Sequence, residues 1–195
     1  MSAPFDSNSL GKRDQPEVAE IKTILQRLNQ SMTRDEVVQS TTNKLIDFLQ
    51  VNRVVLYHFF LNWSGRVSFE SLSDHKYSIL GSTGPDDCFN GEYAQMYLEG
   101  RVSAISNIEE ADIASCHREF LREIDVQANL VVPILIEKSS DQDSDQDLDK
   151  GLWGLLVAHH CEATRVWTAA DIEQMRKGAA RLAAAPSVRG QSGIV

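Results

Sequence analysis

No stretch of this 195-residue chain approaches the roughly 18 consecutive apolar residues that a membrane-crossing helix needs. Its first segment, MSAPFDSNSLGKRDQPE, has no apolar centre and so does not read as a secretory signal. The chain is therefore expected in the cytoplasm. Basic residues are in deficit: 19 Lys and Arg against 28 Asp and Glu give a formal charge of -9. That balance excludes the basic face of a nucleic-acid binder and an anionic membrane surface as partner. Cysteine is scarce as well. Cys88, Cys116 and Cys161 lie too far apart, with histidines too scattered, for a standard zinc site. In a reducing compartment they are expected as free thiols, each serving either packing or chemistry.

What is present reads as one domain of ordinary composition, 42% apolar and 24% charged. Residues 1–16 are polar and aperiodic and are expected to form a flexible leader. From about Glu17, Ile21, Ile24, Leu25, Leu28 and Met32 recur at helical spacing. Thr33 to Glu36 has the form of a capping box, opening a second helix with Val37, Val38, Leu45, Phe48 and Leu49. The period then changes. Val51–Phe60 is rich in β-branched and aromatic residues, and Arg66–Leu72 alternates, so both are expected as strands. Residues 73–88 lack periodicity and read as a long loop. A short helix is expected over Glu92–Leu98, a strand over Arg101–Ile105 and a helix over Ser115–Ile124. Asn129–Glu137 and Gly151–His159 read as the two strands of a hairpin, with a bulge or edge position at Pro133. Between them lies the acidic run 138–150, expected as a solvated loop insertion; it lacks the glycine and glutamate of a calcium-binding hand. Thr168 to Asp171 opens a last helix, which Pro186 ends; residues 187–195 are expected as a flexible tail. The single domain thus spans 17–186. Antiparallel strands with helices on one face make an α+β architecture of five or six strands. The segment between 73 and 125 would cover the other face, where a ligand pocket belongs.

Two local patterns stand out: Asp86-Asp87-Cys88-Phe89, and Ser115-Cys116-His117-Arg118-Glu119-Phe120. Around them run Tyr97-Leu98-Glu99-Gly100-Arg101, Ala128-Asn129-Leu130-Val131-Val132-Pro133-Ile134 and Ala158-His159-His160-Cys161. Together these segments resemble the bilin-binding GAF domains of cyanobacteriochromes, the small relatives of phytochromes, over about Val51 to Trp167. In that family the Cys-His pair marks the bilin anchor, and Asp-X-Cys-Phe marks a subfamily with a second, photochemically active cysteine. The resemblance implies a GAF fold and a linear tetrapyrrole, phycocyanobilin or its isomer phycoviolobilin, held by Cys116 and touched again by Cys88. It implies Asp86, Phe89, Tyr97, Arg101, His117, Asn129 and His159 around the chromophore, with Asp86 facing pyrrole N–H groups, Arg101 a propionate and His159 ring D.

Elementary chemistry agrees with the two cysteine roles. A soft thiolate is the natural nucleophile for the electrophilic ethylidene of ring A, and a helix N-terminus favours that thiolate at Cys116. A thiol adding to the central methine carbon divides the conjugated system and shortens the absorbed wavelength. The position ahead of Asp86 where many relatives carry a tryptophan is here Gly84. One of His159 and His160 faces the pocket, since strand neighbours alternate. The expected function is a photoswitching sensor with no enzymatic turnover beyond its own bilin attachment. A dimer through the terminal helices, and an output domain or partner outside this chain, would complete it. The rivals are a GAF-fold thiol redox enzyme of the free methionine sulfoxide reductase type and a GAF module binding a small molecule non-covalently.

Overall fold

The computed structural model describes residues 14–60, 65–84, 91–137 and 150–190. Two helices open it, α1 (Asp14–Arg34) and α2 (Glu36–Leu49). The cap between them is Asp35, not Thr33: Oδ1 of Asp35 accepts from the N–H groups of Val37 and Val38, while the Thr33 hydroxyl donates back to the Asn29 carbonyl within α1. Of the apolar residues on α2, Phe48 is 51% exposed while Val38, Leu45 and Leu49 are buried.

Five strands follow: β1 (Arg53–Phe59), β2 (Gly65–Leu72), β3 (Ser103–Ile105), β4 (Ala128–Glu137) and β5 (Lys150–His160). They form one antiparallel sheet in the order β2-β1-β5-β4-β3. Between β2 and β3 come a single 3-10 turn at His75–Tyr77 and α3 (Gly91–Leu98). Between β3 and β4 lies α4 (Ser115–Glu123). Pro133 of β4 pairs with Leu155 beyond the end of the short β3, where the other side of β4 has no partner strand among the described residues, and the register slips just after it at Ile134/Leu135.

α5 (Ala169–Ala183) opens on the expected capping box: the Thr168 hydroxyl accepts from Asp171 N–H, and the Asp171 carboxylate from Thr168 N–H. The chain does not become a tail at 187. Pro186 starts a further turn, α6 (Pro186–Arg189), with Pro in the first helical turn, where a missing N–H costs nothing. Ser187 and Val188 are buried, and Ser187 N–H donates to Asp35 Oδ2, tying this end of the chain to the cap of α2. The acidic run 138–149 and the leader 1–13 lie outside the described residues.

The alternation of each strand separates two layers. Val54 and Leu56 of β1, Leu130 and Val132 of β4, and Leu156 and Ala158 of β5 point toward α2 and α5 and form the main core with Leu45, Leu49, Met175 and Leu182. Val55, Val131, Leu155 and Val157 point the other way, toward Tyr97 of α3. No described helix is long and apolar enough to cross a membrane.

Candidate functional site

The second face of the sheet carries a row of residues paired directly across the strands. Arg53 of β1 faces His159 of β5, which faces Asn129 of β4, which faces Ile105 of β3. The next row on this face is apolar: Val55, Val157, Val131. Polar residues this deep need partners, because an unpaired buried polar group costs about 1–3 kcal/mol. Arg53 is 2% exposed and finds three. Its Nε donates to His159 Nδ1 at 2.8 Å, Nη1 to the Tyr77 carbonyl at 2.8 Å, and Nη2 to the Ile124 carbonyl at 2.5 Å. Burial lowers its pKa, opposed by electrostatic interactions with Cys161, Glu70 and Asp125.

His159 is buried, at 5% exposure. Burial first, then the positive charges of Arg53 and His117, hold its pKa well below the ordinary imidazole value, so it is neutral. Strand alternation sends His159 to this face and leaves His160 partly exposed, with Nδ1 beside the Ala163 carbonyl. Asn129 is 3% exposed, and its Oδ1 accepts no hydrogen bond in the described structure.

A cavity opens over this row. Its floor is Val55, Val131 and Val157; Asn129 and His159 stand at one end, and Tyr57 and Gly84 also border it. Its volume is about 140 Å³, below the roughly 300–1,000 Å³ of pockets that hold drug-sized ligands. A larger ligand therefore has to displace part of the wall. One edge, Thr83 and Gly84, runs directly into residues 85–90.

α4 brings His117 to the cavity, half-buried and with its pKa lowered by that burial. Cys116, in the first turn of α4, is exposed and follows Ser115 in the sequence between Ala114 and His117, both of which line the cavity. Arg118 fastens this helix: its Nε donates to the Ile108 carbonyl and its Nη2 to the Ala111 carbonyl, binding the 106–114 segment against α4. Cys161 is a buried free thiol whose pKa burial raises, as suits packing. Cys116, by contrast, is disulfide-bonded, which corrects the expectation that it is a free thiol.

α3 supplies Tyr97, 6% exposed, whose pKa burial pushes up to about 12. Arg101 lies exposed at the rim, with its guanidinium 5.4 Å from the centre of the Tyr93 ring and Nη1 2.8 Å from Met96 Sδ. Five expected residues thus line one cavity, His117, Tyr97, Arg101, Asn129 and His159, and Cys116 precedes His117 on α4. Asp86, Cys88 and Phe89 lie outside the described residues.

Two residues of this site went unread in the sequence. Arg53 was the detectable one, since a cation within the apolar run VNRVVLYHFF must be either at an edge or compensated. The other is Tyr57. Its hydroxyl accepts from Gly84 N–H at 2.9 Å. A Cβ on Gly84 would lie 2.7 Å from that hydroxyl oxygen, so a side chain at 84 and Tyr57 in this position exclude each other. The aromatic wall at this corner comes from β1 instead.

Comparison with known proteins agrees with the geometry. The GAF domain family model matches residues 33–185. An uncharacterized protein of Picosynechococcus sp. is 46% identical over 163 residues, covering 84% of this chain and 93% of that protein. The circadian input-output histidine kinase CikA of Synechocystis sp. is 28% identical over 75% of this chain, but the match spans only 21% of that protein. Among solved structures, the blue-light absorbing form of the Thermosynechococcus elongatus PixJ GAF domain superposes with a TM-score of 0.64, at 29% identity, covering 80% of this chain and 86% of that one. The phycocyanobilin-bound GAF domain of a cyanobacterial phytochrome superposes with a TM-score of 0.61, at 25% identity, covering 83% and 91%. The chain belongs to the GAF domain family, and its structure is strongly similar to the bilin-binding GAF domains of cyanobacteriochromes and phytochromes.

Proposed function

We propose that this domain is a photoreceptor that holds a linear tetrapyrrole over the Arg53–His159–Asn129 row, anchored through Cys116. The observation that carries the reading is the pairing of an apolar valine floor with an orphaned acceptor, Asn129 Oδ1, next to a neutral imidazole at the same end of the cavity. Apolar walls with a few fixed polar groups suit a flat, largely hydrophobic ligand bearing N–H and C=O edges. Asn129 Oδ1 would accept from an N–H of that ligand, which would end its isolation. His117 would pack against the pyrrole rings, Tyr97 and Phe89 would wall them, and Arg101 at the rim would pair with a propionate. Asp86 would accept from pyrrole N–H groups.

The bound bilin, phycocyanobilin or phycoviolobilin, would supply light absorption and Z/E isomerisation. Cys116 would attach it without a separate enzyme, and the start of α4 places this sulfur where the helix dipole favours its thiolate. Attachment needs a thiolate, so the disulfide at Cys116 has to be reduced first. Cys88 would provide a second, reversible thioether, giving a blue- or violet-absorbing form and a green- to red-absorbing one. The terminal helices, and an output domain or partner beyond this chain, would carry the signal. The small share of the histidine kinase that this chain matches fits a sensory module within a larger protein.

The test is co-expression with phycocyanobilin synthesis, followed by purification under reducing conditions. The expected result is a coloured protein, zinc-induced fluorescence on a denaturing gel and reversible photoconversion. Cys116→Ala should abolish covalent retention, and Cys88→Ala should remove the short-wavelength form. A colourless product sinks the photoreceptor reading. The disulfide at Cys116 favours one second reading, a thiol redox enzyme. That reading predicts instead a colourless protein that consumes a sulfoxide at the expense of its thiols.

A further inference from the structure

Among the described residues, Arg53 is buried with no carboxylate in hydrogen-bond contact: its three partners are an imidazole nitrogen and two backbone carbonyls. These partners come from three separate places. Tyr77 lies in the loop after β2, Ile124 is the C-cap of the helix that carries Cys116, and His159 is on β5. A guanidinium can only donate. His159 Nδ1, 2.8 Å from Arg53 Nε, is therefore the acceptor and carries no proton. A neutral imidazole has one N–H, so the proton resides on Nε2. That nitrogen makes no hydrogen bond within the described residues, and His159 lines the cavity. Besides Arg53, the ionisable neighbour felt by His159 is His117, itself half-buried.

We propose that Arg53 is a positioning residue, which never touches the ligand but fixes His159 as the tautomer that donates from Nε2 into the cavity. A histidine left to itself can present either a donor or an acceptor there. With Arg53 in place it presents a donor, directly across the β4–β5 ladder from the Asn129 Oδ1 acceptor. A donor beside an acceptor matches a lactam edge, the adjoining C=O and N–H of a terminal pyrrolinone ring. This use of the pair rests on the bilin reading; the tautomer itself does not. The same guanidinium grips the Tyr77 and Ile124 carbonyls, so the imidazole, the loop after β2 and the C-terminus of α4 share one anchor.

The experiment is nitrogen NMR of the histidine side chains in the full ¹⁵N-labelled chain, first without bilin, with His159 assigned by the signal lost in His159→Gln. The expected wild-type pattern is a protonated, pyrrole-type Nε2 and an unprotonated, pyridine-type Nδ1. Arg53→Lys should keep that pattern, because an ammonium also only donates. Arg53→Met should give mixed tautomers or move the proton to Nδ1. A wild-type Nδ1 that carries the proton overturns the proposal. So does a folded Arg53→Met, judged by circular dichroism and cooperative unfolding, that keeps the wild-type pattern. If Arg53→Met does not fold, the wild-type and Arg53→Lys spectra decide. The second stage repeats the measurement after phycocyanobilin loading, where Nε2–H should remain and shift as a new hydrogen bond forms. A chain that takes up no bilin refutes the photoreceptor reading and leaves the tautomer result standing; a loaded chain whose Nε2 loses its proton refutes the donor role.

Discussion

The two faces of the sheet are built from the same strands by opposite rules. On the helix side, Leu56, Leu130 and Leu156 pack into a continuous apolar core with Trp153 and Met175. On the cavity side, the same strands contribute an arginine, a histidine and an asparagine, all buried. The first face returns free energy on burial, about 25 cal/mol per Å² of apolar surface. The second spends some of it by holding polar groups away from water, one of them unpaired. Stability resides on the helix side of the sheet; the buried polar groups reside on the other.

Neighbours on β5 give the sharpest way to break this contrast. Leu156 is fully buried against the helices, while Val157, 7% exposed, borders the cavity. Leu156→Ala should cost about 2–5 kcal/mol, the range for a buried leucine truncated in a close-packed core. Val157→Ala should cost less than half as much, because the space it leaves merges with a cavity that already exists. Urea unfolding of the two variants measures this. Equal losses would mean that the cavity face is part of the stabilising core.

Two buried histidines extend the comparison to pH. His58 lies on the helix side, 1% exposed, with its ring 4.4 Å from that of Trp153 and Nδ1 donating to the Trp153 carbonyl at 3.0 Å. Its Nε2 has no partner among the described residues. Burial lowers its pKa from 6.5 to about 4, with the Trp153 carbonyl opposing the shift. Below pH 6.5 the unfolded chain takes up a proton that the folded chain refuses until about pH 4. Stability is therefore full above 6.5 and falls as the pH drops toward 4, by an amount on the order of 3 kcal/mol from this residue. His58→Leu should flatten that acid slope, read as the denaturation midpoint against pH. His159, whose pKa is also depressed, should contribute to what slope remains. An unchanged slope in His58→Leu would show that burying His58 is not a source of the acid sensitivity.

Asn129 tests whether the cavity face gives up stability for recognition. Asn129→Leu removes an unpaired buried acceptor and should stabilise the ligand-free domain by about 1 kcal/mol. The same change should weaken retention of bilin, on the reading proposed above. A destabilised Asn129→Leu would show that the amide is a structural element and not a site held ready for a ligand.

What was legible in the sequence follows from how local each cause is. The capping box at Thr168–Asp171 lies within four residues and was read correctly. The similar pattern at Thr33–Glu36 misled, because Asp35 outcompetes Thr33 by serving two partners at once: the start of α2, and Ser187 far along the chain. The turn at Pro186 was hidden for the same reason, since a tail-like composition says nothing of a distant carboxylate waiting for its N–H. Cys116 and His117 were visible as a contiguous motif. Arg53 was visible only as a cation out of place in an apolar run; its role exists only once β5, the Tyr77 loop and the end of α4 have converged on it. Strand alternation stated that only one of His159 and His160 could face the pocket; the family resemblance pointed to His159, and the β1–β5 register pairs it with Arg53.

The smallest effect concerns the corner where β1 meets Gly84. The hydroxyl of Tyr57 is a polar group on the cavity face, and it is satisfied by the Gly84 N–H. Tyr57→Phe keeps the ring and removes that bond, so the loss should be about 1 kcal/mol in the unfolding free energy. Hydrogen exchange at the Gly84 amide should speed up, because its acceptor has gone. The bond also holds the start of the segment that enters the Asp-X-Cys-Phe motif, so the same variant asks whether this corner positions Cys88. If Tyr57→Phe slows or broadens photoconversion while Val157→Ala does not, the hydroxyl acts by holding the loop and not by packing. If both variants leave the photocycle unchanged, Tyr57 serves only as a wall, and the polar work of the cavity face is confined to the row at Arg53, His159 and Asn129.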